Sequence, residues 1–326
     1  MQSQHWPRAL WRAVSEYVGL AAVLAGLILV FSLASRSFFS FAVARMIANQ
    51  IPYAVIIAVG MTYVLIIAGI DLSVGSVLAL SSTVLGVVMR GVSGWGGLAL
   101  GIAACLGVGL MCGAANGAVT VAWRLPSFIV TLGMLEMARG GAYFVTRMES
   151  IYIGDRIEAV GTVSLLGLSM PFLLAVGVVA AGQFVLSRTI FGRYMVAVGT
   201  NEEAVRLSGI DPRRIKLAVF ALCGLLTGVA AVIHAAKVTT ANPNDGQGYE
   251  LEAIAAVVIG GTSLMGGRGS VVASFFGVLI MAVLGAGLSQ LGVPEEKKRL
   301  VTGFVIVAAA IADYYRRRLA RAGREA

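Results

Sequence analysis

The feature that most constrains this chain is a series of long apolar runs, repeated from end to end, each close to the length that crosses a hydrocarbon core of about 30 Å. A run such as Pro171 to Leu186 shows none of the polar and apolar alternation that a transmembrane barrel strand needs over roughly ten residues. The spanning elements are therefore predicted to be helices. Composition agrees, because 58% of the residues are hydrophobic and only 13% charged, about half the charged share of an ordinary soluble domain. The fold class expected is all-α, a polytopic membrane protein of about ten transmembrane helices, some of them broken.

The ten spans are predicted near 17–34, 51–69, 75–90, 97–122, 127–146, 170–187, 215–236, 250–265, 270–290 and 300–314. No polar stretch is long enough to fold alone, so residues 1–326 are predicted to be one membrane domain. The leader before Tyr17 is short and no small-residue cleavage site follows the first span, so that span is expected to be a retained helix.

Of the 25 Lys and Arg residues, fifteen fall in segments on one side of this layout, nine on the other, and Arg139 lies inside a span. The fifteen include Arg8, Arg12, Arg188, Arg193, Arg206, Arg213, Arg214 and Lys216, and the tail residues Arg316, Arg317, Arg318, Arg321 and Arg324. The positive-inside rule then places both termini in the cytoplasm. The formal net charge of +9 is read as a topology signal and as attraction to anionic membrane lipid rather than to nucleic acid, with the basic tail a surface anchor.

Several chemistries are disfavoured. Cys105, Cys112 and Cys223 all fall in apolar spans, where packing is their expected role. His5 and His234 have no ligand-type residue at metal-binding spacing, so neither a metal site nor a catalytic histidine is expected. No catalytic residue is assigned. There is no G-x-x-x-x-G-K-[ST] loop, so any ATP that drives this chain, with its Mg, is expected to be bound by another subunit.

The polar interruptions carry more information. In Ile67-Ala-Gly-Ile-Asp-Leu-Ser-Val-Gly-Ser-Val77, Asp71 and Ser73 stand between apolar runs and beside Gly69 and Gly75. An ionisable residue at membrane depth must face protein, water or a pathway. A broken helix is predicted here, its second half starting near Ser73, with Asp71 or Ser73 as a cap and as pathway candidates. Ile259-Gly-Gly-Thr-Ser-Leu-Met-Gly-Gly-Arg-Gly-Ser-Val271 repeats the same order late in the chain, as transporters built from structural repeats do. Asn116, Ser127 and Thr131 are further pathway candidates, able to hydrogen-bond either a polar solute or a neighbouring helix. Glu136 and Arg139, three residues apart, are expected to pair. Glu250 and Glu252 suit a helix start. Gly107, Gly109, Gly113 and Gly117 predict close helix packing.

The polar loop of about 188–216 contains Gly199-Thr-Asn-Glu-Glu-Ala-Val-Arg-Leu-Ser-Gly-Ile-Asp-Pro212. Thr200 with Glu203 fits a capping box, Gly209 a C-terminal cap, and Pro212 blocks continuation, which predicts a helix of about two turns from Thr200 to Ser208. So short a helix is marginal alone, since isolated helices need roughly 12–15 residues, so a cytoplasmic partner is expected to hold it. Thr200, Asn201, Glu202, Glu203, Ala204, Leu207, Ser208 and Gly209 are the candidate contact residues, with Ala204, Leu207 and Ser208 forming the chief face.

The chain resembles the permeases of the ribose/xylose/arabinose ABC importers from about Ile51 to Asp313. The resemblance is carried by Gly69-Ile-Asp-Leu-Ser-Val-Gly-Ser76, Pro126-Ser-Phe-Ile-Val-Thr-Leu-Gly133, Gly192-Arg-Tyr with Gly199-Thr-Asn and Arg206-Leu-Ser-Gly-Ile210, Gly248-Tyr-Glu-Leu-Glu-Ala-Ile-Ala-Ala256, and Ile259-Gly-Gly-Thr-Ser-Leu-Met-Gly-Gly267. It implies import of a monosaccharide, ribose-like, across a bacterial inner membrane. It also implies a second permease copy or a paralogue, a cytoplasmic ABC ATPase, a periplasmic sugar-binding protein, and a coupling helix around Glu202. Ala286-Gly287, Ala273-Ser274 and Glu295-Glu-Lys-Lys-Arg299 depart from the family pattern and bear on which sugar is carried. An ABC permease for branched-chain amino acids or nucleosides is the nearer alternative; an ion-coupled secondary transporter, which would also use Asp71 and Glu136, is the further one.

Overall fold

A computed structural model describes residues 6–162, 164–165 and 168–325, with side chains for 17–161, 164 and 168–311. His5 and the side chains of Arg8, Arg12 and the tail residues Arg316 to Arg324 lie outside those described, as does the expected surface anchor. The chain runs α1 (Trp6–Ala34), α2 (Phe41–Gln50), α3 (Pro52–Ile66), α4 (Val74–Gly91), α5 (Gly94–Ala122), α6 (Ser127–Thr146), β1 (Ile151–Tyr152), α7 (Asp155–Thr162), β2 (Ser164–Leu165) and β3 (Leu168–Ser169). It continues α8 (Met170–Arg188), α9 (Ile190–Thr200), α10 (Glu202–Leu207), α11 (Pro212–Val238), β4 (Thr240–Ala241), α12 (Tyr249–Ile259), α13 (Val271–Gln290) and α14 (Glu295–Glu325). Two antiparallel ribbons, β1 with β4 and β2 with β3, are the small additions to the expected all-helical fold.

Among the described residues, seven helices are long and apolar enough to cross a membrane, and α2 with α3, bent by 50°, make an eighth candidate. The predicted span at 250–265 is instead α12, whose 11 residues rise only about 16 Å. The apolar run does continue past Ile259, but Gly261 takes a left-handed φ of +87° and ends the helix.

α3 lies at the centre. It is apolar on every side, as a helix enclosed by others must be, and α8, α11, α12 and α13 pack around it. Its neighbour α11 meets α5 through glycines. A Cβ at Gly113 would stand 2.3 Å from Phe220 O, and one at Gly224 would stand 2.2 Å from Gly109 O. Lipid is as apolar as leucine, so close backbone approach of this kind, rather than exclusion of water, draws the two helices together. Gly107, grouped with these by sequence, faces open space. α1 leans on α13 at the edge, where the buried Phe31 ring fills the room left by Gly287.

Candidate functional site

The first break, between α3 and α4, is closed by side chains. Ala68 turns the chain with a positive φ of 59°, and Asp71 Oδ1 then accepts hydrogen bonds from the Ser73 amide at 2.9 Å and the Ser73 hydroxyl at 2.6 Å. Asn116 of α5 donates to Ser73 Oγ at 3.0 Å. From α6, Ser127 Oγ accepts from the Ile70 amide and Thr131 Oγ1 from the Leu72 amide, at 2.9 and 3.1 Å. Amides of a non-helical segment have no helical partners, so polar side chains of neighbouring helices serve them. All five pathway candidates thus meet at one break. Asp71 is 2% exposed and Asn116 1%, and Asn116 Oδ1 has no protein partner.

The capping role predicted for this place falls to Asp71. Ser73 occupies the N-cap position of α4, but its side chain caps nothing.

The second break, from Gly260 to Ser270, sits against the first. The Gly267 amide donates to Ile66 O, the last carbonyl of α3, at 2.8 Å. Between the two breaks lies the end of α9, where a Cβ on Gly199 would fall 1.7 Å from Ile66 O and one on Gly267 2.6 Å from Thr200 Oγ1. Beyond it, Gln183 Oε1 of α8 accepts from the Val271 and Val272 amides and caps α13.

α10 follows that junction directly. Its N-cap is Asn201, whose Oδ1 accepts from the Ala204 amide at 3.0 Å, and not Thr200. Thr200 is the last residue of α9 and bonds back to Val196 O; Glu203 pairs with Arg206 rather than closing a capping box. The helix is consequently Glu202–Leu207, shorter than predicted. Its end does follow the sequence signal. Gly209 has φ +83°, with Gly209 N bonded to Arg206 O and Ile210 N to Val205 O, the paired bonds of a Schellman cap. The chain itself supplies part of the support expected from a partner. Val205 is buried, and Glu202 forms a salt bridge to Lys216 of α11. Ala204, Leu207 and Ser208 are left outward, and Leu207 is 78% exposed. Beside α10 a cleft of about 700 Å³ opens, lined by Arg124, Glu202, Glu203, Arg206, Arg213 and Lys216 among others.

At the far end of α11 a cluster appears that sequence spacing does not reveal. Tyr53 and Tyr249 stack with centroids 5.1 Å apart, His234 packs edge-on to both, and His234 Nε2 lies 3.4 Å from Asp245 Oδ2 without hydrogen-bond geometry. The turn that carries Asp245 is held from α6 by Arg139, which donates to Pro243 O at 2.5 Å and Asp245 O at 2.8 Å. The expected Glu136–Arg139 salt bridge is not among those of the described residues, because the guanidinium is spent on these carbonyls. Glu250 and Glu252 do stand in the first turn of α12.

Residues 43–310 match the family model described as the branched-chain amino acid transport system / permease component. The ribose import permease protein of Escherichia coli K12 is 40% identical over 304 residues, covering 91% of this chain and 93% of that one. The chain belongs to this permease family. The permease is also similar to the L-arabinose ABC transporter permease protein of Azospirillum brasilense, 38% identical over 82% of this chain and 78% of that one. The fructose import permease protein of Rhizobium meliloti is 34% identical, over 87% and 81%. No solved structure matches. The permease is accordingly a transport component, a multi-pass protein of the inner membrane.

Proposed function

We propose that this permease imports a monosaccharide, ribose or a close analogue, from periplasm to cytoplasm as the membrane subunit of an ATP-binding-cassette importer. The observation that carries the reading is the match over almost the whole length of both chains to permeases named for ribose, with arabinose and fructose permeases beside it. The chain holds no cofactor of its own; ATP and Mg are used by a cytoplasmic ABC ATPase. A periplasmic sugar-binding protein delivers the substrate, and a second permease copy or a paralogue completes the path. The whole of 1–326 acts as one domain of about ten spans with both termini in the cytoplasm. In that count α2 with α3 make one span, α12 with its following loop a partial one, and α14 the last.

In this mechanism α10 is the coupling helix. Its exposed Leu207 and Ala204 suit a docked ATPase, and Asn201, Glu202, Glu203 and Gly209 fix its position. Movement of α10 passes through Gly199 and Thr200 to both breaks at once, since each break touches the end of α9. Asp71, Ser73, Asn116, Ser127 and Thr131 then hold the wall of the path in shape while two rigid parts rock about it. The test is ATP hydrolysis by the reconstituted complex with its binding protein. Monosaccharides, ribose foremost, should stimulate it; stimulation by branched-chain amino acids or nucleosides instead would replace the substrate assignment.

A further inference from the structure

The cleft beside α10 brings together three stretches far apart in sequence: the end of α5 with the turn after it, α10, and the start of α11. Its volume of about 700 Å³ lies in the range of small-molecule sites, and on the positive-inside count it opens to the cytoplasm. Of the charges that line it, Glu203 pairs with Arg206 and Glu202 with Lys216. Asp211 accepts from the Arg213 amide and lies 3.7 Å from Arg214. Arg124 and Arg213 are left over: among the described residues neither guanidinium has a salt bridge or a hydrogen bond. Each also stands where an arginine is out of place. Arg213 is in the first turn of α11, which holds no acidic residue, so its charge opposes the helix dipole. Arg124 takes the left-handed position after α5, with φ 52°, where glycine is the usual residue. The inner wall of the cleft adds an orphaned hydroxyl. Thr62, Thr146 and Thr227 each donate to the carbonyl four residues back in their helices. Thr120 does not: it is 8% exposed, and its Oγ1 is buried without a partner.

We propose that this cleft binds a hydroxyl-bearing phosphate ester, and that the bound ester restrains α10. Arg124 and Arg213 hold the phosphate between them, each guanidinium offering a planar fork that matches phosphate oxygens, and the start of α11 adds its own positive field. Threonine populates two rotamers in a helix, and on binding Thr120 turns from one to the other to bring its hydroxyl to a hydroxyl of the ligand. Inorganic phosphate would leave Thr120 orphaned and most of the volume unfilled. A phosphorylated monosaccharide supplies both groups, and phosphoryl transfer to the imported sugar is the class of reaction that makes it. That source rests on the function proposed above. The membrane offers the same chemistry in a glycerol-headed phospholipid. A ligand that bridges the end of α5 and the start of α11 beside α10 ties the helix to its neighbours, so the phosphorylated sugar slows its own further import.

The experiment is equilibrium binding of labelled ribose 5-phosphate to the purified complex of permease and ATPase in neutral detergent, with the ATPase sites filled by a non-hydrolysable nucleotide. Half-saturation should lie below about 1 mM. Arg124→Ala with Arg213→Ala should weaken binding about tenfold or more, and Thr120→Val about threefold. Both arginines are exposed, so the double variant should melt with the wild type. In nanodiscs of uncharged lipid, ribose 5-phosphate should lower ATP hydrolysis by about half or more in the wild type and leave the double variant unchanged. The lipid arm adds phosphatidylglycerol to the same discs. If that lipid alters hydrolysis in the wild type but not in the double variant, while ribose 5-phosphate does not bind, the soluble ligand is overturned in favour of the headgroup. Binding of neither, or binding that survives the double variant undiminished, would overturn the site itself. Binding needs no transport. A complex that moves no monosaccharide yet binds ribose 5-phosphate through Arg124 and Arg213 would retire the function proposed above and keep the site; ribose import without such binding would do the reverse.

Discussion

Removing the Asp71 carboxylate should open the first break. Asp71→Ala deletes two hydrogen bonds, from the Ser73 amide and hydroxyl, and strands a buried amide with no water to replace the lost acceptor. Two bonds at about 0.5–1.5 kcal/mol net, and a stranded donor at about 1–3 kcal/mol, give a loss on the order of 2–6 kcal/mol. Asp71→Asn keeps an Oδ1 in place for the same amide and should lose no more than about 1.5 kcal/mol. At roughly 2–4 °C per kcal/mol for a chain somewhat smaller than this one, the alanine variant should melt about 4–24 °C below wild type and the asparagine variant within about 6 °C. The assay is the fraction of detergent-solubilised permease that stays monodisperse after heating, followed by sugar uptake at matched membrane levels. Uptake should fall strongly for alanine and mildly for asparagine. Wild-type melting and wild-type uptake in both variants would refute the argument, because the break would then need neither the cap nor its charge.

Ala204→Asp with Leu207→Asp should leave the permease inserted and as heat-stable as wild type, since both side chains point outward, yet abolish co-purification of the ATPase and stop uptake. A variant that still brings down its ATPase would mean that α10 lies on lipid. Gly199→Ala forces a methyl to within 1.7 Å of Ile66 O, so the α9 end must move away from the breaks, and sugar-stimulated ATP hydrolysis should uncouple from transport. Coupled, wild-type uptake would contradict the proposed route. Gly224→Ala, with its Cβ 2.2 Å from Gly109 O, should push α11 off α5 and cost about 1–3 kcal/mol, read as a lowered melting temperature; an unchanged melt would show that the contact yields freely.

What is legible in the sequence follows from the range of each signal. Asp71 and Ser73 stand out because a charge between two apolar runs is anomalous by itself, and Ser127 and Thr131 because they are polar near the start of a span. That the hydroxyls of Ser127 and Thr131 serve the amides of Ile70 and Leu72 is a contact across 57 and 59 residues, which no local pattern encodes. The cap of α10 lies one residue beyond its predicted place because Thr200 and Asn201 are both good cap residues. α9 decides between them: it remains helical through Thr200, which spends its hydroxyl on Val196 O and leaves Asn201, extended at φ −160°, as the first residue free to cap. Arg139 reads as a partner of Glu136 because a helix makes neighbours of residues three apart. The carbonyls that take it belong to a turn 104 and 106 residues later. The role of Gly199 has no local signal, since it is defined only by the Ile66 carbonyl that presses on it.

In the function proposed, sugar crosses through this permease only when a partner's ATP hydrolysis drives it. The direct measurement is accumulation of labelled ribose in proteoliposomes holding the permease and its ATPase, with the binding protein on the opposite side from the ATPase domains. Accumulation is expected with hydrolysable ATP, none with a non-hydrolysable analogue, and none when the binding protein is omitted. Ribose accumulation by the permease alone, driven by an imposed proton or sodium gradient without ATP, would contradict it.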